Sequence, residues 1–194
     1  MGERGIGRCR AAGIHQAVGF ATRALTVDRK RAKGSAGLLP YRIVSGGLEV
    51  FLVHPGGPYW ANKDEGAWSV AKGEFQEGED PLAAARREFR EETGFEPTGE
   101  LIPLEPVRQA GGKKVYAWAM EADYDPSKLK SNTFSMEWPP RSGRRQEFPE
   151  VDRAEWFPLG VARRKILETQ VPLLDQLEDR LGFAGSPAGA GQAG

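Results

Sequence analysis

The sequence predicts an α/β (α+β) sandwich in which helices cover a mixed sheet, and three observations carry that expectation. Runs of β-branched and aliphatic residues recur between residues 36 and 159. Two helical patterns are interleaved with those runs rather than gathered at one end. The chain has 194 residues, 39% hydrophobic and 28% charged, enough for one ordinary domain with a core of its own.

Residues 1–34 precede that domain and hold eight Lys/Arg against Glu3 and Asp28. They are arginine-rich and acid-poor, a composition shared with transit peptides. Serine is scarce and the apolar positions form no sustained face, so they are read as a loosely ordered extension. The domain proper is expected over residues 35–183. AGLLPYRIV (36–44) and GLEVFLVHP (47–55) flank the turn signal SGG and read as paired strands. AWSVAKG (67–73), KKVYAWAMEA (113–122) and AEWFPL (154–159) complete the expected strands.

The first helix is bounded by its own chemistry. Asp80 followed by Pro81 is an N-cap with proline at the first helical position, and Gly94 supplies a left-handed stop, so the helix spans about 81–93. A second helical pattern over 160–182 spaces Val161, Ile166, Leu167, Leu174, Leu177 and Leu181 and is expected to be interrupted or kinked at Pro172. Residues 123–150 show little periodicity, and a connection that long is usually functional or disordered. Residues 184–194 are Gly/Ala-rich and are read as a disordered tail.

Several function classes are disfavoured. The domain is mildly acidic, which argues against a dedicated nucleic-acid binder. No apolar run reaches membrane-spanning length, and the N-terminus lacks a continuous signal-peptide segment. Cys9 is the single cysteine, so no intrachain disulfide forms and a cytoplasmic setting is expected.

Charge on the first helix is the main functional signal. On a helical wheel Leu82, Ala85 and Phe89 make the core stripe, while Glu88, Glu91 and Glu92 gather on one flank at i+3 and i+4 spacing. Like charges so placed each cost a few tenths of a kcal/mol, and more when desolvated. Arg87 to Glu91 is one compensating i,i+4 pair, and a hard divalent cation is a stronger one, because clustered carboxylates with substrate phosphates make the shell that Mg²⁺ prefers. A solvated, salt-bridged face is the alternative that helix geometry alone leaves open.

The residues leading into the helix complete a longer pattern. Gly73, Glu79, Arg87, Glu88, Phe89, Glu91, Glu92, Gly94 and Phe95 fill every specified position of G-x5-E-x7-R-E-U-x-E-E-x-G-U, with U apolar. In this the chain resembles the Nudix hydrolases. The resemblance implies an α/β/α sandwich around a mixed sheet, with the pattern forming a loop–helix–loop. It implies Mg²⁺-dependent (or Mn²⁺-dependent) hydrolysis of a nucleoside diphosphate linked to a further group. Carried over by position, it makes Glu91 and Glu92 the main metal ligands and Glu88 a third ligand or a base. It adds the backbone carbonyl of Lys72, gives Arg87 the task of orienting the glutamates, and places Glu79 in the supporting loop. An acidic residue before a late Trp-containing strand is also implied, for which Glu150 is the best match and Glu147 a rival.

The substrate is less sharply indicated. FLVHPGGPYW (51–60) and KDEGAWSVAKGEFQEGED (63–80) give a looser likeness to diadenosine tetraphosphate hydrolases. His54, Lys63 and Lys72 are candidate phosphate or base contacts. Tyr59, Trp60 and Trp138 are candidate stacking partners for a nucleobase. Arg141, Arg144 and Arg145 are candidates for a polyphosphate tail. A dinucleoside polyphosphate or nucleoside triphosphate is therefore the expected substrate. RNA 5′-end pyrophosphate removal, or a nucleotide-sensing module without turnover, is the alternative.

Overall fold

The computed structural model describes residues 34–183 except Glu77 and Ala110. The expectations for residues 1–33 and 184–194 lie outside the described residues. β1 (Gly34–Val44) runs through the middle of a six-stranded sheet. It returns antiparallel into β2 (Gly47–Pro55) across Ser45 and Gly46, both with positive φ, the two-residue turn whose twist matches a hairpin. β3 (Ala71–Phe75) pairs antiparallel with the first half of β1. β5 (Lys114–Glu121) pairs parallel along the other side of β1, and β4 (Leu101–Arg108) and β8 (Val151–Pro158) close the two ends.

The apolar runs read as continuous because this sheet is buried on both faces. Side chains alternate across a strand, so neighbours in sequence serve opposite cores. Leu38 and Phe51 pack under α1 (Pro81–Thr93) with Phe89 and Met120. Leu39 and Leu52 pack on the other face with Trp68, Leu174 and Leu177, beneath α2 (Leu159–Lys165) and α3 (Val171–Leu181). The expected sandwich of helices about a mixed sheet is thus the observed one.

Three elements differ from expectation. β4 was not anticipated, since LIPLEPVR contains two prolines; the sheet tolerates them because β4 is an edge strand with an irregular register between Leu104 and Val107. The second helical pattern is two helices, broken at Ile166–Leu167 and a short 3₁₀ turn, Glu168–Gln170, and Pro172 opens α3 rather than kinking it. The long aperiodic segment contains a separate hairpin, β6 (Thr133–Glu137) and β7 (Arg145–Pro149). No helix among the described residues is long and apolar enough to cross a membrane.

Candidate active site

α1 is placed by local signals at both ends. The Asp80 carboxylate accepts the Ala83 N–H at 3.0 Å, Pro81 follows, and Gly94 at φ 74° donates its N–H to the Arg90 carbonyl at 2.8 Å. Pro81, Ala84, Ala85, Phe89 and Thr93 are buried, with Leu82 at the margin. Burying Phe89 alone contributes about 1.5–3 kcal/mol. Phe95 stacks on Tyr124 with ring centroids 4.8 Å apart, and Trp156 donates its indole N–H to the Tyr124 carbonyl at 2.9 Å. The two apolar positions of the motif are therefore anchors that hold α1 on the sheet.

That docking turns the charged flank toward β3. The Arg87 guanidinium donates to Glu88 at 2.6 Å, Glu91 at 3.1 Å and Glu79 at 3.2 Å, and to the Glu74 carbonyl at 3.2 Å. Glu79 also accepts the Gln76 N–H at 2.9 Å, so one arginine ties the loop, the strand and the helix together. Glu92 accepts the Lys72 N–H at 2.7 Å. A strand residue turns its N–H and C=O to the same side, so the Lys72 carbonyl faces the side that holds Glu92. The Glu88 carboxylate lies against Gly73, where any β-carbon would fall inside it.

Glu150 reaches this cluster from a distant part of the chain. It lies between β7 and β8, with its N–H donated to the Asn132 carbonyl at 2.8 Å and its carbonyl accepting the Gly56 N–H at 2.9 Å. Asn132 in turn donates its N–H to the Glu91 carbonyl at 2.9 Å. Burial pushes the Glu92 carboxyl up to about 8, with the charges of Glu88 and Glu150 adding and Lys72 opposing. Glu88 is also raised, first by burial and then by Glu91 and Glu150, despite its contact with Arg87. Glu150 thus acts on both, while Glu147 lies exposed on β7 opposite Ser135.

Crowded, partly buried carboxylates are the hard oxygen donors that suit Mg²⁺ or Mn²⁺, and their mutual repulsion is the strain such an ion relieves. Among the described residues no ready-made centre of three acidic, His or Cys groups is assembled. Glu88 and Glu91 are turned onto Arg87, and Glu92 onto Lys72. The residues present fit a divalent ion by charge and donor type, and their side chains must turn inward to hold it.

The remaining sequence candidates divide. His54 is fully buried, with Nδ1 2.7 Å from Asp152 and Nε2 2.9 Å from the Lys63 carbonyl. Neither nitrogen is left for a phosphate or base, which corrects the ligand role expected of it. Asp152, which sequence reading passed over, sits at the register shift between β2 and β8, and its place two residues after Glu150 was its only signal. His54→Ala is expected to lower stability by about 2–4 kcal/mol in urea unfolding, because the Lys63 carbonyl and Asp152 both lose a buried partner. KM for substrate should stay near wild type; a raised KM at unchanged stability would restore the ligand role. Lys63 is exposed, with its ammonium 4.4 Å over the Trp60 ring. Tyr59 and Trp138 meet edge to face at 5.3 Å, and Arg141 and Arg144 are exposed in the β6–β7 turn. Arg145 instead donates to Ser135 at 3.1 and 2.9 Å, bracing the hairpin.

The NUDIX domain family matches residues 41–177. An Ap4A hydrolase of C. elegans, solved as a binary complex, is similar at 22% identity and a TM-score of 0.54, over 77% of this chain and 98% of that one. The NUDIX domain of Shewanella oneidensis NrtR, complexed with ADP ribose, is similar at 18% identity and a TM-score of 0.55, over 78% of this chain and 90% of that one. No curated protein matches the chain.

Proposed function

The chain belongs to the NUDIX domain family, and on that premise we propose that it hydrolyses a pyrophosphate linkage in a nucleoside diphosphate joined to a further group, in the cytoplasm, with Mg²⁺ or Mn²⁺ as cofactor. The observation that carries the proposal is the convergence of Glu88, Glu92 and Glu150, two from one helix turn and one from far along the chain, close enough that the Glu150 charge acts on the carboxyls of both helix residues. Glu88, Glu91, Glu92, Glu150 and the Lys72 carbonyl would hold the cation. Such an ion would supply positive charge against the diphosphate oxygens and a lower pKa for the attacking water.

The protein's own contribution is placement and proton transfer. Arg87 holds Glu88 and Glu91 in register with the loop that carries Glu79. Glu88 rests against Gly73 in a site only 14% exposed on its side chain, where a carboxylate is a stronger base than in water, and it takes the proton of the attacking water. A nucleotide or dinucleoside polyphosphate is the substrate class this reading favours. Lys63 and Lys72 would contribute charge toward its phosphates.

Phosphate-product chromatography with Mg²⁺ across diadenosine polyphosphates, nucleoside triphosphates, nucleotide sugars and ADP-ribose tests the proposal, with Glu91→Gln as the control. Turnover of one class, lost in the control, is the expected result. Nucleotide binding without turnover of any class would replace the enzyme with a sensing module, and turnover unaffected by Glu91→Gln would move the chemistry elsewhere.

A further inference from the structure

The β6–β7 hairpin stands apart from the main sheet, yet its root is built into the candidate site. Asn132, just before β6, bonds through its backbone to Glu91 and Glu150, and Glu150 directly follows β7. Along β6 and the residue that follows it, Phe134, Met136 and Trp138 alternate as half-buried positions with exposed neighbours, as extended chain requires. Phe134 lies over the turn after β2. A β-carbon at Gly57 would come within 3.0 Å of the Phe134 ring, and one at Gly56 would collide with the Pro149 carbonyl. Two glycines therefore let the hairpin lie flat on the turn, and Trp138 meets Tyr59 beyond them.

The tip is ordered by its own bonds. Trp138 donates its N–H to the Arg144 carbonyl at 2.9 Å, and Glu137 accepts the Gly143 N–H at 2.8 Å. Arg145 is spent on Ser135, and Trp60 is covered by Lys63. Arg141 and Arg144 have no ion pair among the described residues, and Tyr59 is 57% exposed. Two guanidiniums without an ion pair, in the turn that follows Trp138, and an open aromatic pair are the chemistry that receives phosphate oxygens and a flat base. Trp138 is six residues from Asn132 along an extended strand, so the start of the tip lies roughly 20 Å along the hairpin from its root. Phosphate-binding chemistry thus occurs at both ends of that span.

Resting on the hydrolase reading above, we propose that the hairpin tip is a specificity subsite for polyphosphate length: Arg141 and Arg144 take phosphates beyond the cleaved linkage, and Tyr59 and Trp138 stack a base. The substrate selected is a nucleotide with a chain longer than a diphosphate. A longer polyphosphate carries phosphates further from the carboxylates toward the arginines than a diphosphate does.

The test compares diadenosine tetraphosphate with ADP-ribose, by calorimetric binding and by steady-state kinetics, in wild type, in Arg141→Gln/Arg144→Gln and in Trp138→Phe. The arginine substitutions are at exposed side chains and leave the fold intact. The expected result is a roughly tenfold or greater loss of affinity and rise in KM for the tetraphosphate in the arginine variant, with ADP-ribose unchanged. Trp138→Phe, which keeps an aromatic face, should retain most of the tetraphosphate affinity. Equal losses for both compounds, or no loss for either, would overturn the subsite. If wild type binds but turns over neither compound, the hydrolase reading falls, while the binding arm still decides the subsite.

Discussion

Glu92→Gln is expected to lower turnover by roughly two to three orders of magnitude, the scale seen when one charge-stabilising group is removed from a site that works electrostatically. The same substitution is expected to make the metal-free protein more stable at pH 8. Burial and the nearby Glu88 and Glu150 charges raise this carboxyl from the ordinary 4.5 to about 8 in the folded state. Between those two values the folded chain keeps a proton that the unfolded chain has lost, so stability falls as pH rises through the window and levels off above it. The loss is on the order of a few kcal/mol. A glutamine carries no charge and still offers an oxygen to the Lys72 N–H, so urea unfolding of the variant should vary much less with pH across the window, the remaining slope coming from Glu88. Wild type and variant should converge near pH 4. Added Mg²⁺ should stabilise wild type at pH 8 and do much less for the variant, since an ion that binds only the folded state stabilises it by mass action. A variant no more stable than wild type at pH 8 would mean that the carboxylate is not held under charge strain.

Gly73→Ala is expected to fold normally and lose about a hundredfold in kcat/KM. A β-carbon there meets the carboxylate end of Glu88 rather than any backbone atom, so the flexible side chain is what moves. Gly73 carries no positive φ and pairs with Ala36 in the antiparallel ladder, so alanine is accommodated by the backbone and stabilises a strand interior by about 0.5–1 kcal/mol. Displacing a proton acceptor by an ångström or so is enough to cost about two orders of magnitude. An unfolding midpoint at or above wild type, with activity lost, is the signature. Full activity would show that the position of Glu88 does not matter to the reaction.

These two variants bear on neighbouring residues that differ in what made them readable. Gly73 and Glu92 belong to a pattern whose members lie within 23 consecutive residues. Their geometry follows from helix spacing and from caps at Asp80 and Gly94, all local interactions. Glu150 was one of two candidates in the sequence, with Glu147 three residues away, and only tertiary contacts separate them. The backbone bonds from Asn132 and Gly56 and the register shift between β2 and β8 bring Glu150 to the cluster, while Glu147 stays on β7.

The sequence by itself determined the strands β1, β2 and β5, the helix α1 with both of its ends, the sandwich class and the carboxylate flank, because propensity, capping and periodicity act over a few residues. Tertiary structure decided features that no local signal showed. β4 exists because an edge can accept Pro103 and Pro106, a property of its place in the sheet and not of its composition. His54 became a buried strut because Asp152, 98 residues away, and the Lys63 carbonyl meet both its nitrogens. The β6–β7 hairpin took its place because Gly56 and Gly57 leave room for Pro149 and Phe134. In each case the deciding partner lies far along the chain, and a residue's type states what it can bond to but not which distant group will be brought within reach.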